Sequence, residues 1–300
     1  MKILVSGRNS QIGQEFFNLV QESNDSYIFT DSSSMNLLNA SSVEQVVLKN
    51  KPDVILNFSA YTRVDDCELN KDESHNVNAD APALLAFLAL KIDALLIHIS
   101  TDYVFGEGSG PFRVDSKKLP VNFYGLSKLE GEAAILKSGC QSIIIRTSSV
   151  FSPFGNNFVK TIMKKILNDP SVSVIDDQMI SLTNARDIAI SIKRLISLKK
   201  DLSLSKNMLP LIFHYTNIGY TTWYDLASFI RVELNDKVNG LGTLKPIKAS
   251  EWNSLASRAR DTRLVIDYGL LKSLDIKLYN WQERVASVLE SLLKFGKIDD

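Results

Sequence analysis

Short apolar runs alternate with amphipathic stretches along the first half of the chain. The runs cover residues 3–5, 27–29, 54–58, 94–99 and 142–145, and helical spacing of apolar side chains marks 11–21, 42–48, 81–90 and 127–136. Runs this short and this apolar read as strands buried on both faces. Strands that alternate with helices build a parallel sheet covered on both sides. Right-handed crossovers make that order a doubly wound α/β sheet of the Rossmann kind. The second half is less regular. Helices are expected at 157–167, 185–198, 222–232 and 281–293, the last capped by Asn280, with a strand at 211–215. Residues 199–209 are largely polar, run up to Pro210, and read as a surface loop.

Charge and composition narrow the class. Among 300 residues, 34 basic and 34 acidic side chains cancel, so no net field argues for a nucleic-acid partner or an anionic membrane. Cys67 and Cys140 form no paired-cysteine motif. His75, His98 and His214 share no ligand spacing, so each is expected to be an ordinary structural histidine and no metal is expected. The start of the chain lacks the pattern of a secretory leader, and no apolar run approaches the roughly 18 residues that span a bilayer. The expected compartment is a reducing cytoplasm.

Gly7-Arg8-Asn9-Ser10-Gln11-Ile12-Gly13 joins the first strand to the first helix. The free N–H groups of a helix start are suited to a dinucleotide pyrophosphate. Gly7 permits the tight turn and Gly13 close packing of helix on strand, while Ser10 takes the place of a middle glycine. Asp31, 18 residues past Gly13, suits an adenosine ribose and hence NAD. Arg8 suits the 2′-phosphate of NADP, so the preference between NADH and NADPH stays open. These signals place a dinucleotide-binding domain at 1–152, joined by 184–215. A smaller mixed α/β substrate lobe takes 153–183 and 216–300.

Tyr124-Gly125-Leu126-Ser127-Lys128 carries the most chemistry. A spacing of four puts Tyr124 and Lys128 on one helix face, provided the helix has begun by Tyr124. A phenol titrates near 10, too high for easy proton exchange at neutrality, and a nearby ammonium is expected to lower it. Such a pair by itself is a common chance match. Thr101 changes its weight, because it falls at the carboxyl end of the fourth strand, where open parallel sheets bind ligands.

With these motifs the chain resembles the extended short-chain dehydrogenases/reductases and, more narrowly, the dTDP-4-dehydrorhamnose reductases. The likeness runs through Gln11-Ile12-Gly13-Gln14-Glu15, Lys51 to Asn57, Ala60-Tyr61-Thr62 with Val64-Asp65, and Asn78-Ala79. It continues in the segment from Ser100 to Phe105, in Tyr124 to Lys128 with Gly131-Glu132, and in Arg146-Thr147-Ser148. Gly155-Asn156-Asn157-Phe158 and Thr222-Trp223-Tyr224 carry it into the second half. It implies reduction of the 4-keto group of a nucleotide-linked 6-deoxysugar by NADPH or NADH. Thr101, Tyr124 and Lys128 would be the catalytic residues. Gly7, Gln11, Ile12 and Gly13 would line the pyrophosphate, with Arg8 and Ser10 also among the cofactor-binding residues of this loop. Asn36 and Leu37 would lie near the adenine, and Asp31, Ser59, Ala60 and Tyr61 along the rest. Thr101, Asp102, Val104, Phe105, Ser149, Asn157 and Arg258 would line the sugar nucleotide. Family members also pair through a magnesium ion held by glutamates. Glu15 stands at one such position, and one acid is too few to support a metal site.

The chain departs from the family pattern at several places. Ser10 stands for glycine, Asn36 and Gly106 for aspartates, Ser149 for tryptophan, and Leu182 and Ala259 for prolines. Losing an aromatic at Ser149 removes a flat apolar surface for a deoxysugar ring. Two alternatives therefore stand beside the leading one. The same chemistry could act on another nucleotide sugar. The chain could also be a non-catalytic NAD(P)-binding subunit, similar to the regulatory β subunit of methionine adenosyltransferase.

Overall fold

The computed structural model describes residues 1–201, 203–204 and 208–295. The first half runs β1 (Lys2–Ser6), α1 (Gln11–Leu19), β2 (Ser26–Thr30), α2 (Ala40–Asn50), β3 (Val54–Asn57), α3 (Val64–Leu69), α4 (Lys71–His75), α5 (Ala81–Lys91), β4 (Leu95–Thr101), α6 (Phe123–Ser138) and β5 (Ser142–Thr147). The second half begins with β6 (Val150–Phe151), α7 (Phe158–Asn168), β7 (Ser171–Ile175), β8 (Met179–Ser181), β9 (Thr183–Asn184) and α8 (Ala185–Lys200). It ends with β10 (Leu211–His214), β11 (Tyr220–Thr222), α9 (Trp223–Asn235), β12 (Thr243–Ile247), α10 (Tyr268–Ser273) and α11 (Trp281–Phe295).

Six strands form one parallel sheet in the order β10-β5-β4-β3-β1-β2. Both faces are covered, as continuous apolar strands require. Ile3 and Val5 of β1 pack with Phe16 of α1 and Ile188 and Ile192 of α8. Leu4, between them, packs on the opposite face with Val43 and Val47 of α2 and Leu85 of α5. Each such side chain, fully buried, contributes about 1.5–3 kcal/mol relative to exposure. The sheet is therefore the doubly wound one expected. The chain then builds a second core from α7, α9 and α11 with β7 and β8, centred on Met163, Leu226, Ile230 and Leu289.

Some boundaries differ from expectation. β4 runs two residues further than the apolar run, so Thr101 is its last residue. α6 starts at Phe123, earlier than 127, because the Asn122 side chain accepts the Gly125 N–H at 2.8 Å and caps the helix. α8 extends to Lys200 and takes up the first residues of the expected 199–209 loop, while 202 and 205–207 lie outside the described residues. Asn280 precedes α11, and its side-chain amide donates to the Glu283 carboxylate at 3.3 Å.

Candidate active site

The carboxyl ends of β4 and β5 and the start of α6 meet at one place. α6 sits directly on the turn that follows β4: a Cβ on Gly125 would lie 2.2 Å from the Tyr103 carbonyl oxygen. That contact brings Tyr124 beside Thr101. Thr101 Oγ1 accepts the Tyr103 N–H at 3.2 Å and donates to Asp102 Oδ1 at 3.1 Å. Asp102 Oδ2 lies 2.7 Å from Ser148 Oγ, at the end of β5. Thr101, Asp102 and Tyr124 are all buried.

The electrostatics differ from the simple expectation at one point. Burial raises the Tyr124 phenol above its ordinary range, and the nearby Asp102 charge adds to this. The expected lowering by an adjacent ammonium is not what this arrangement produces, because Lys128 points elsewhere. Its Nζ lies 3.1 Å from His98 Nε2 and donates to the Ile99 carbonyl at 2.8 Å, both on the interior strand β4. Burial pushes Lys128 down to about 8. Burial also pushes the Asp102 carboxyl up to about 6, against hydrogen bonds from Ser148 and Thr262 that pull the other way. Burial thus pulls both Asp102 and Lys128 toward their uncharged forms.

The β1–α1 loop is built for close approach. Gly7 has φ +80, and a Cβ there would lie 2.7 Å from the Ser59 nitrogen. A Cβ on Gly13 would lie 2.1 Å from the Gly7 carbonyl oxygen. The loops after β1 and β3 therefore touch at the point where strand order reverses, the crevice in which such sheets bind nucleotides. Ser10 caps α1, accepting the Gly13 N–H at 3.0 Å and donating to the Gly7 carbonyl at 2.7 Å. A serine thus does structural work where the family pattern has glycine. Gln11 and Ile12 begin the helix, where N–H groups have no carbonyl one turn back, so the cradle fits a pyrophosphate.

The other expected cofactor residues fall around this crevice. Asp31 follows β2, and its Oδ1 accepts from the N–H and hydroxyl groups of Ser33 and Ser34, which hold it down to about 2. Arg8 stacks over Phe17 at 4.6 Å. Asn36 caps its own turn through Leu38 N–H at 3.0 Å, and Leu37 packs on the core of the α2 face. Ser59 donates its N–H to Asn57 Oδ1 at 3.2 Å, Ala60 follows it, and Tyr61 is held at both backbone groups by Asn78.

Several expected sugar-binding residues are spent on the fold. Val104 and Phe105 are core residues, Phe105 stacking on Phe112 with centroids 4.9 Å apart, so neither side chain offers a face to a ligand. Asn157 caps α7, accepting the Lys160 N–H and donating to Gln11 Oε1. Arg258 makes a two-pronged pair with Asp65 at 2.6 and 3.2 Å. Ser149 is half-buried at φ +42, a backbone region that disfavours a side chain.

The sequence reading missed the buried polar partners. Glu132 of α6 takes Arg146 of β5 at 2.7 and 2.9 Å and also the Ser100 hydroxyl. Asn57 and His98 back Lys128. A polar residue inside an otherwise apolar strand is the one signal that could have marked Asn57, His98 and Arg146, and Glu132, on a helix, carries no such mark. The residues do not fit a magnesium site. Glu15 faces the Arg186 guanidinium at 3.7 Å, and no group of three acids, histidines or cysteines among the described residues is arranged to hold a metal ion.

Comparison with known proteins agrees with this geometry. The family model described as RmlD substrate binding domain matches residues 1–294. A dTDP-4-dehydrorhamnose reductase of Sinorhizobium fredii is 32% identical over 99% of both chains. The spore coat polysaccharide biosynthesis protein SpsK of Bacillus subtilis is 31% identical over 96% of this chain and 97% of its own. The crystal structure of dTDP-4-dehydrorhamnose reductase from Bacillus anthracis in complex with NADP superposes with a TM-score of 0.86. It is 27% identical and covers 97% of this chain and 99% of that one.

Proposed function

From the premise that the chain belongs to the RmlD substrate binding domain family, we propose that it reduces the 4-keto group of a nucleotide-linked 6-deoxysugar, as in dTDP-L-rhamnose and polysaccharide biosynthesis. One observation carries this reading: a buried tyrosine, beside Thr101 at the strand ends, next to a dinucleotide cradle. A reduced nicotinamide cofactor, when bound, supplies the hydride to the carbonyl carbon. Tyr124 gives its proton to the carbonyl oxygen, and Thr101 holds that oxygen by its hydroxyl. Lys128, once released from its His98 contact as the ammonium, stabilises the phenolate left behind. Burial excludes water, so the proton stays on this path.

Residues 1–152 with 184–215 hold the cofactor in this proposal, and 153–183 with 216–300 the sugar nucleotide. Gly7, Gln11, Ile12 and Gly13 meet the pyrophosphate, with Arg8 and Asp31 at the adenosine end. The protein acts in the cytoplasm, as a homodimer on the family likeness. No helix among the described residues is long and apolar enough to cross a membrane.

The test supplies dTDP-4-keto-6-deoxy-L-mannose with NADPH and with NADH and follows the nicotinamide absorbance. Tyr124→Phe is expected to lose on the order of 100-fold or more in turnover while keeping cofactor affinity. A non-catalytic subunit would lose nothing. The small Ser149 side chain favours one second reading, a different nucleotide sugar. Wild-type protein that binds cofactor but leaves the dTDP substrate untouched would move the assignment there.

A further inference from the structure

Hydrogen-bond polarity behind Lys128 is fixed from one end. The Ser59 backbone N–H is an obligatory donor, and it lies 3.2 Å from the Asn57 side chain. The atom it meets must be Oδ1, which also accepts the Ser6 hydroxyl at 2.8 Å. The Asn57 amide nitrogen then points at His98 Nδ1, 3.0 Å away, and donates to it. A ring nitrogen that accepts carries no proton, so neutral His98 carries its proton on Nε2. That N–H points at Lys128 Nζ, 3.1 Å away. An ammonium has only donors, so the contact is satisfied by the free amine, whose lone pair accepts while one of its N–H bonds donates to the Ile99 carbonyl at 2.8 Å.

We propose that His98 is a positioning residue of the reductase, whose Nε2–H holds Lys128 as a free amine so that this contact sets the pH at which Lys128 becomes the ammonium that Tyr124 needs. The inference rests on the reductase reading for its consequence, but not for its geometry. His98 is fully buried. Its own burial keeps it far below the usual histidine range, so it stays a neutral relay. The charged neighbour of Lys128 is Glu132, one turn along α6, already held by Arg146 of β5 and Ser100 of β4. His98 faces it from β4, and Asn57 of β3, behind His98, carries no charge.

Two measurements test this. The first is nitrogen NMR of the full-length protein labelled on histidine, with and without NADP⁺. Only His75, His98 and His214 contribute, and the His98 signals are assigned by their loss in His98→Gln. The expected result without cofactor is a single neutral tautomer, bare at Nδ1 and protonated at Nε2, unchanged from about pH 6 to about pH 9. The opposite tautomer, or an imidazolium, overturns the proposal whether or not the protein turns over any sugar. The second is the pH profile of kcat for His98→Gln, whose amide oxygen can accept from an ammonium. The alkaline limb is expected to move up by about one pH unit, a tenfold change in proton affinity, with the cofactor KM within about twofold. A lower kcat with an unmoved limb would reduce His98 to packing and overturn the proposal.

Discussion

Asp102 shows how single side chains are tuned by depth in this molecule. It is fully buried beside Thr101 and Tyr124, and its folded carboxyl titrates near 6 against an ordinary value of 3.8. A raised acid favours the fold only while protonated. The stability it gives is complete below about pH 4 and is lost as the pH rises through about 6, a span worth roughly 3 kcal/mol. In urea unfolding, wild type minus Asp102→Asn is therefore expected to fall between pH 4 and 6.5 and to flatten above. A difference that stays level would rule this out. Tyr124, Lys128 and Thr101 were legible in the sequence because spacing and strand position mark them. Asn57, His98 and Glu132 were not. Their partners lie 41, 30 and 14 residues away and become neighbours only when strands and α6 come together.

Elements tell a similar story. Strong periodicity gave the sheet strands and the long helices within a few residues. It missed α3 and α4, six and five residues long, which are too short for a period to show. It also missed the one turn of π-helix at Asn76–Asp80 between α4 and α5. That turn matters for α6. A Cβ on Gly131 would lie 2.2 Å from the Asn78 carbonyl oxygen, so the glycine lets helix and turn touch. Asn78 in turn holds Tyr61 and reaches the Ser127 hydroxyl at 3.1 Å. Gly131→Ala should gain about 1 kcal/mol from helix propensity and lose about 1–3 kcal/mol from overpacking. The expected sum is a lower unfolding midpoint, and a raised one would show that α6 does not depend on this contact. The small pairs β7–β12, β8–β11 and β6–β9 escaped for another reason, since their partners are set by distant chain rather than by local pattern.

At the scale of the whole molecule, one buried acid ties the two cores together. Asp187, in the first turn of α8, accepts Asn217 at 2.7 Å and Arg284 of α11 at 2.9 Å through the same oxygen. Arg284→Ala would leave that carboxylate buried and short of its cation. The expected cost is about 3 kcal/mol, the low end for such a loss because the Arg284 side chain is 27% exposed. Denaturant unfolding reads it, and a cost under about 1 kcal/mol would place the join elsewhere. A last consequence comes from β10. It pairs with β5 and completes the sheet, yet it follows β5 by roughly 60 residues of chain. A ribosome adding about 5–20 residues per second leaves β5 as a bare edge for on the order of 3–12 s. Through that interval the nascent sheet offers open backbone to any neighbouring strand. Slow decoding between the codons for β5 and β10 would lengthen the exposure, so the yield of folded protein should depend on how quickly that stretch is translated.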